Sequence, residues 1–557
     1  MKLSKLGLAG LTLLVCSAAA ACNDDDGSDG DGVAGKAGAG SAGIPATGGS
    51  AGNQSTGGSS SGKGGGAATD EAGAGGVTQG GESGAGGDGP VYPVECGDPS
   101  HDGVLVYEDI TGDATWSCPV YTLTRPIYVY SSNDTPVVLH IDPGVTVRGV
   151  KGLEPIKLPG ALIVTRSARI EALGTEQQPI VFTTSEPAAS ATPGSWGGLM
   201  LLGRAPTNAP ANFESSGKPA GELYAEALPK SDLSLYGWPR SSDEGAAGAG
   251  GAGGAGPGLV EEYPDWDCGK LKYVRIAFAG FKAGATKELN GLTLGACGTG
   301  TLVDHVQVHR SSDDGIEVFG GTVNLSYIVL TGNQDDSLDW DQGWRGKAQF
   351  VAIQSHDDAD IADSCGIEAD GFATPEAPLA EPSAPRIFNL TLIASKNTQR
   401  GIRFRDGTQV FLGNTILAAH AMGVPQGLVD IDHVRTADYL AAGKLAIQHS
   451  VFGSDHWPTL GQIDTQGTTH NEEDVFTAQG GLSATGNTVI GAATELWLNA
   501  FNTAQPQWVP LTNSAADEAG VAPSDIDGST FFDTSATYRG AFEPGGEDWT
   551  AGWTSYP

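Results

Sequence analysis

Short apolar runs rich in β-branched and aromatic residues recur from about residue 91 onward, punctuated by Gly, Pro, Asn and Asp, with hardly any helical 3.6-residue period. Val137 to Val147, Ala161 to Ile170, Pro179 to Thr184, Leu199 to Leu202 and Leu271 to Phe278 read as strands. Strands alone permit a sandwich, a propeller or a β-helix, and internal repetition decides among them. The string Ser312-Asp313-Asp314-Gly315-Ile316-Glu317-Val318-Phe319 returns as Gln334-Asp335-Asp336-Ser337-Leu338-Asp339-Trp340-Asp341, offset by 22 residues, with Gly321 and Gly343 keeping register. A third step of 22 falls on Asp357-Asp358. A Gly-apolar-x-apolar core recurs at Gly198, Gly291, Gly366 and Gly401. Such steps predict coils of a parallel β-helix, each strand about 4.8 Å above the last. Propeller blades need periods of about 40 to 50. Asn324, Asn389, Asn414 and Asn487 each precede an apolar strand, which predicts an internal Asn ladder at a turn.

The N-terminal stretch has a different character. Lys2 and Lys5 precede an apolar run from Leu6 to Val15, then small residues and Cys22. This is the form of a secretory signal, too short to span a bilayer stably. A small-residue site ending at Cys22 resembles a bacterial lipoprotein signal, so residues 1–21 are expected to be removed and Cys22 to carry lipid. Acyl chains, at about 0.8 kcal/mol per buried methylene, would hold the chain on a membrane. Residues 23 to 90 contain 25 Gly, with Ser, Ala and Thr filling much of the rest. That composition predicts a disordered tether over 22–90, with a span of roughly 45 Å. Gly58-Ser59-Ser60-Ser61-Gly62 matches the hydrolase elbow pattern, but a tether offers no strand-turn-helix to hold it. The body is expected over 91–557, with an N-terminal cap at about 91–160, a disordered Gly/Ala loop at about 241–258 and a C-terminal cap at about 500–557.

Several strings carry a family resemblance. They are Trp196-Gly197-Gly198-Leu199-Met200-Leu201-Leu202-Gly203-Arg204-Ala205-Pro206, Asp313 to Gly321, Asp335 to Trp340, and the closing Tyr538-Arg539-Gly540-Ala541-Phe542 with Trp549-Thr550-Ala551-Gly552-Trp553. Together they resemble secreted or surface-exposed right-handed parallel β-helix proteins of Gram-negative bacteria, over about 130 to 557. That group largely lacks an assigned activity, so the resemblance implies architecture and compartment but no reaction. The predicted class is all-β, a single-stranded right-handed parallel β-helix solenoid after a disordered Gly-rich tether. The expected location is the bacterial cell envelope, lipid-anchored to the outer membrane, facing the periplasm or the exterior.

The chain carries 66 acidic and 30 basic side chains, a net charge of −36. This argues against nucleic-acid binding, which needs Lys/Arg patches, and against docking on anionic lipid heads. It leaves cations, neutral or basic polymers and other proteins. An exported chain would pair its cysteines, and Cys96 with Cys118 and Cys268 with Cys297 are the expected bridges, leaving Cys365 odd. The body holds no C-x-x-C or H-E-x-x-H, so a zinc site has no support and no organic cofactor is indicated.

The repeat concentrates carboxylates. If Ile316 and Val318 face inward, Glu317 faces solvent, and Asp339, Glu368 and then Arg403 follow it on later coils. Stacked at about 4.8 Å, such carboxylates repel, and protons, Arg403 or Arg405, or a cation must relieve them. Asp313, Asp314, Asp335 and Asp336 at the turns add to the field, as do Asp357, Asp358 and Asp360. The expected metal set is Asp313, Asp314, Glu317, Asp335, Asp336, Asp339 and Glu368, whose hard oxygens suit Ca2+. Asp and Asn capping the turns is the plainer reading of the turn acids.

Two functions follow. One is a glycan-binding or adhesion module for glycans or surface partners; Trp340, Trp344 and Trp266 could stack on sugar rings, although packing between rungs and end capping is the plainer reading of each. The other is a polysaccharide lyase or glycoside hydrolase using Glu317 and Asp339 as paired carboxylates and Arg403 as a cationic group. The Gly-His-Gly piece of the pectin-hydrolase pattern is absent, and His305, His309 and His356 form no recognisable triad.

Overall fold

Strand Gly198–Leu202 shows how the pattern becomes a coil. Its Leu199 and Leu201 join the interior core, whereas Met200 and Leu202 join a separate apolar cluster on the outer face. The same alternation puts Ile316 and Val318 inside and Phe319 outside. A computed structural model describes residues 96–133, 135–152, 158–239, 263–284, 287–357, 364–372, 381–420, 427–453, 462–463, 469–470, 476 and 485–557. The signal region, Cys22, the tether to 90, the loop 241–258, Asp358 and Asp360 lie outside the described residues.

The strands form a parallel β-helix. One sheet has nine strands, running from Pro126–Val129 and Ala161–Val164 through Gly198–Leu202, Leu292–Gly295, Ile316–Phe319, Leu338–Asp341, Cys365–Asp370 and Arg400–Arg405 to Val429–Ile431. Every neighbour pair in it is parallel. The other sheet is 17-stranded and takes the rest of each coil. The 22-residue step is real: Glu317 lies opposite Asp339, and Leu302 opposite Asn324. Between the sheets, buried Leu, Ile and Val from all coils make one interior cluster.

The long strands of the larger sheet turn a corner at one position. Tyr273, His305, Tyr327, Phe350, Asn389, Asn414 and His449 all have positive φ, and the pairing places them in successive coils. Non-glycine residues rarely adopt that region, and a stacked column of them marks a shared bend. The Asn ladder is therefore shorter than expected. Only Asn389 and Asn414 belong to this column, while Asn324 begins a strand and Asn487 lies beyond Gly486.

The first strands, Val104–Val106 and Val120–Leu123, already pair in parallel with each other and with Thr146–Gly149, so coils begin inside the stretch expected to be a cap. The last stretch differs more. Expected to close the end of the solenoid, residues 500–557 instead run along the side of the larger sheet, across several coils. Asp527 bonds Lys347 (2.8 Å), the Asp533 amide donates to Gln349 (2.7 Å) and the Ser555 amide donates to Gln307 (2.9 Å). Trp549 and Trp553 pack edge-on against His305. An outward column of rings and amides needs a cover, and this segment supplies it.

Both expected disulfides are present, Cys96–Cys118 and Cys268–Cys297. Cys365 is a buried thiol at the start of its strand. Among the described residues no helix is long and apolar enough to cross a membrane.

Candidate functional site

Thr293, Glu317, Asp339, Glu368, Arg403 and Asp430 occupy one position in six successive strands of the nine-stranded sheet. All lie on the outer face, as alternation requires, but that face is not open to solvent. Glu317 is only 8% exposed. The long excursion after Leu202 folds back over the sheet, setting Leu223, Ala225, Leu228 and Tyr236 against Met200, Leu202 and Phe319. Four apolar side chains in a Gly/Pro-rich loop were the sequence signal for that cover.

The turn acids do two things. The Asp336 amide donates to Asp314 Oδ1 (2.9 Å) and the Cys365 amide to Asp336 Oδ1 (2.6 Å), so each carboxylate caps the main chain of the next coil. These same acids also converge. Asp314, Glu317 and Asp339 each present an oxygen within 4.8 Å of the others. So do Asp314, Asp335 and Asp336, and so do Glu288, Asp313 and Asp335. Asp336 and Glu368 group in the same way with the Cys365 sulfur. All seven carboxylates expected from the repeat fall in these groups; Glu288 and Cys365, outside the repeat, were missed.

Compensation along the column is uneven. At one end Lys282 reaches Glu288 (3.0 Å), Asp335 (3.0 Å) and Asp313 (3.5 Å). At the other, Arg403 binds Glu368 (3.0 Å) and Asp432 (2.7 Å), and Arg405 binds Glu368 (3.3 Å) and Asp370 (3.0 Å). Burial alone would raise the Glu368 carboxyl, but Arg405 and Arg403 outweigh it and hold it below the ordinary range. Between these ends, Asp314, Glu317 and Asp339 have no Lys, Arg or His within 4.0 Å among the described residues. Asn290 donates to Glu317, and Asp339 Oδ1 is buried with no hydrogen-bond donor. Burial first, then Glu226, Asp314 and Asp339, push Glu317 well above its ordinary range. Burial, then Glu368 and Asp370, do the same to Asp339, and burial and Asp339 to Asp314. Asp341, the next outward acid on the same strand, is pushed up to about 7, chiefly by burial.

An orphaned buried carboxylate oxygen among three uncompensated acids is what a hard divalent cation fits, and Asp314, Glu317 and Asp339 would hold it. Arg403 does not fit the cationic role expected in an enzyme. It is locked between Glu368 and Asp432, and despite burial its guanidinium is held more firmly protonated by Glu368. Of the three tryptophans, two take the packing role between rungs. Trp340 and Trp344 are fully buried, their indoles donating to Thr408 Oγ1 and the Val323 carbonyl. Trp266 is half-buried and forms a cluster with Tyr263 and Trp238, Arg204 lying over both tryptophan rings at 4.8 and 4.7 Å. Asp357 does not continue the ladder; seven further residues enter the next coil, and it pairs with Lys396 (2.9 Å) at the surface.

A family model described as a pectate-lyase-like beta helix domain matches residues 108–225 and 262–502. The chain belongs to that family. As a pectate-lyase-like β-helix domain, it has the fold of glycan-binding or glycan-processing chains. Among solved structures it is similar to full-length tailspike protein 2 from Escherichia coli O157:H7 bacteriophage CAB120, at 12% identity and a TM-score of 0.23. That match covers 70% of this chain and 44% of the tailspike chain. No curated protein matches the sequence.

Proposed function

We infer that the chain is a glycan-binding module of the cell envelope, with Ca2+ held by the outward acids of its nine-stranded sheet. The observation that carries this is the trio Asp314, Glu317 and Asp339, drawn within 4.8 Å and uncompensated between two well-compensated ends. A cation there neutralises the repulsion and fixes three coils against one another. Trp266, Trp238 and Tyr263 give a half-buried aromatic surface for sugar rings.

The hydrolytic alternative is less well supported. Paired glycosidase carboxylates stand about 5–5.5 Å or 6.5–9.5 Å apart, so that a sugar or a water fits between them. Three carboxylates with converging oxygens, Glu317 among them buried beneath a folded cover, suit a shared ion or proton better than a pair that must admit a sugar or a water. Anchoring through a lipidated Cys22 and a tether over 22–90 would present the module at the outer membrane; labelled palmitate should enter the wild-type chain and not Cys22→Ala.

The binding reading is tested by incubating the chain with acidic and neutral polysaccharides, with and without Ca2+. Ca2+-dependent retention without new reducing ends or unsaturated products is expected. Chain cleavage that is lost in Glu317→Gln and Asp339→Asn would replace it with an enzyme.

A further inference from the structure

Lys282 enters the acidic column from outside the repeat. It begins strand Lys282–Gly284, which pairs antiparallel with Lys287–Glu288 so that Lys282 stands opposite Glu288. Leu289 and Phe281 pack in the outer apolar cluster, and the Leu289 amide donates to the Phe281 carbonyl (3.0 Å), which seats the base of this hairpin against the sheet. The hairpin therefore delivers one base and one acid together to the turns that carry Asp313 and Asp335.

The ammonium lodges where three carboxylates meet. Glu288, Asp313 and Asp335 each present an oxygen within 4.8 Å of the others, and Lys282 Nζ stands 3.0 Å from Glu288, 3.0 Å from Asp335 and 3.5 Å from Asp313. An ammonium has three N–H donors and no acceptor, so one directed to each acid uses all of them. Oxygens this close together can also all reach one Ca2+ at about 2.3–2.6 Å. Burial alone would lower the Lys282 pKa, but Asp335, Asp313 and Glu288 outweigh it and hold the side chain charged. Burial, then Glu288 and Asp335, still push Asp313 well above its ordinary range against the pull of Lys282, so the three acids can accommodate more positive charge than one ammonium brings.

We propose that Lys282 is a tethered cation occupying what would otherwise be a second divalent-ion site, formed by Glu288, Asp313 and Asp335, and that it thereby confines the exchangeable ion to Asp314, Glu317 and Asp339. The two trios share no residue, yet Asp313 and Asp314 are neighbours in the chain. A single charge fixed beside the inner trio repels an ion there less than a second dication would. Being covalently attached, the ammonium competes at a high effective concentration whatever the ion concentration outside. The placing of the wild-type ion rests on the cation-binding reading of the column; the blocking of the outer trio by Lys282 does not.

Counting the Ca2+ ions bound per chain with Kd below about 1 mM, by equilibrium dialysis of the full chain at constant ionic strength, tests this. The wild type is expected to hold one ion and Lys282→Gln two. Lys282→Arg, which keeps the charge, should remain at the wild-type count, and Lys282→Gln combined with Glu288→Gln should return to it. The Lys282 side chain is 42% exposed, and Lys282→Met is the second neutral variant should the glutamine chain fail to fold. A wild type that binds no ion beside a Lys282→Gln chain that binds one would refute the inner trio as an ion site and leave the role of Lys282 standing. Two ions in the wild type, or no added ion in a folded neutral variant, would overturn the proposal.

Discussion

Glu317 and Asp339 sit directly opposite each other on adjacent parallel strands, 22 residues apart, both on the outer face, with Glu317 buried beneath a folded cover. Two carboxylates in that relation repel strongly, and burial makes the charged forms costlier still.

Stability should therefore depend on pH in an unusual sense. Glu317, Asp339, Asp314 and Asp341 all have folded-state pKa values above the ordinary carboxylate range, Asp341 at about 7. A raised acid binds its proton more tightly in the folded chain than in the unfolded one. Its contribution is complete below the unfolded pKa of about 4 and is lost as pH rises through the folded value. In chelator, the unfolding free energy should fall between about pH 4 and pH 7, by about 1.4 kcal/mol per pH unit for each proton that the folded chain holds and unfolding releases, and denaturant midpoints should fall with it. Added Ca2+ should restore most stability at the upper end of that range. A chelator-treated chain whose midpoint rises from pH 4 to pH 7 would contradict this.

Arg403 is expected to be structural. Arg403→Met leaves Glu368 and Asp432 without that partner, and breaking a buried pair costs about 3–5 kcal/mol. Equilibrium urea unfolding checks the loss. Glycan binding measured on the still-folded fraction should be retained, whereas a catalytic or ligand-contacting Arg403 would lose it.

The 29-residue separation between Cys268 and Cys297 sets the scale of their disulfide. Closing such a loop restricts the unfolded chain by about 3–4 kcal/mol in the chain-entropy account. Cys268→Ser with Cys297→Ser should lower the thermal midpoint by several degrees, read by calorimetry. Unchanged unfolding in the double variant would mean that the bridge adds nothing.

Asn389 should be unusually sensitive. It sits at positive φ, accepts from Gln349 (3.0 Å) and donates to the carbonyls of Tyr538 (2.8 Å) and Ala536 (3.2 Å), tying the C-terminal stretch to the coils. Asn389→Gly keeps the backbone conformation and loses the hydrogen bonds; Asn389→Val loses both. Valine should destabilise more than glycine by about 1 kcal/mol or more. Limited proteolysis should then release the C-terminal stretch first. Equal effects of the two substitutions would remove the backbone argument.

The repeat made the solenoid and the meeting of seven acids legible, because a fixed 22-residue step transfers register without any knowledge of packing. Where the step broke, legibility stopped. The seven residues added before Glu368 displaced Asp357 to a surface pair with Lys396, which no local pattern announces. For Trp340 and Trp344 rung packing is the plainer reading beside sugar stacking, and alternation decides for it at Trp340, inward with Leu338; both fill the interior. The cover over Glu317 rests on contacts such as Tyr236 with Phe319, and the side-on course of the C-terminal stretch on contacts such as Ser555 with Gln307, between residues far apart in the chain.

Calorimetric titration of the chain with Ca2+, repeated on Glu317→Gln and Asp339→Asn, tests the central claim most directly. Saturable binding in the wild type, weakened at least about tenfold in either variant, is the predicted result. Absence of heat in the wild type, or variants that bind like it, would mean the acids are turn caps and proton-sharing pairs, and that the outward column holds no ion.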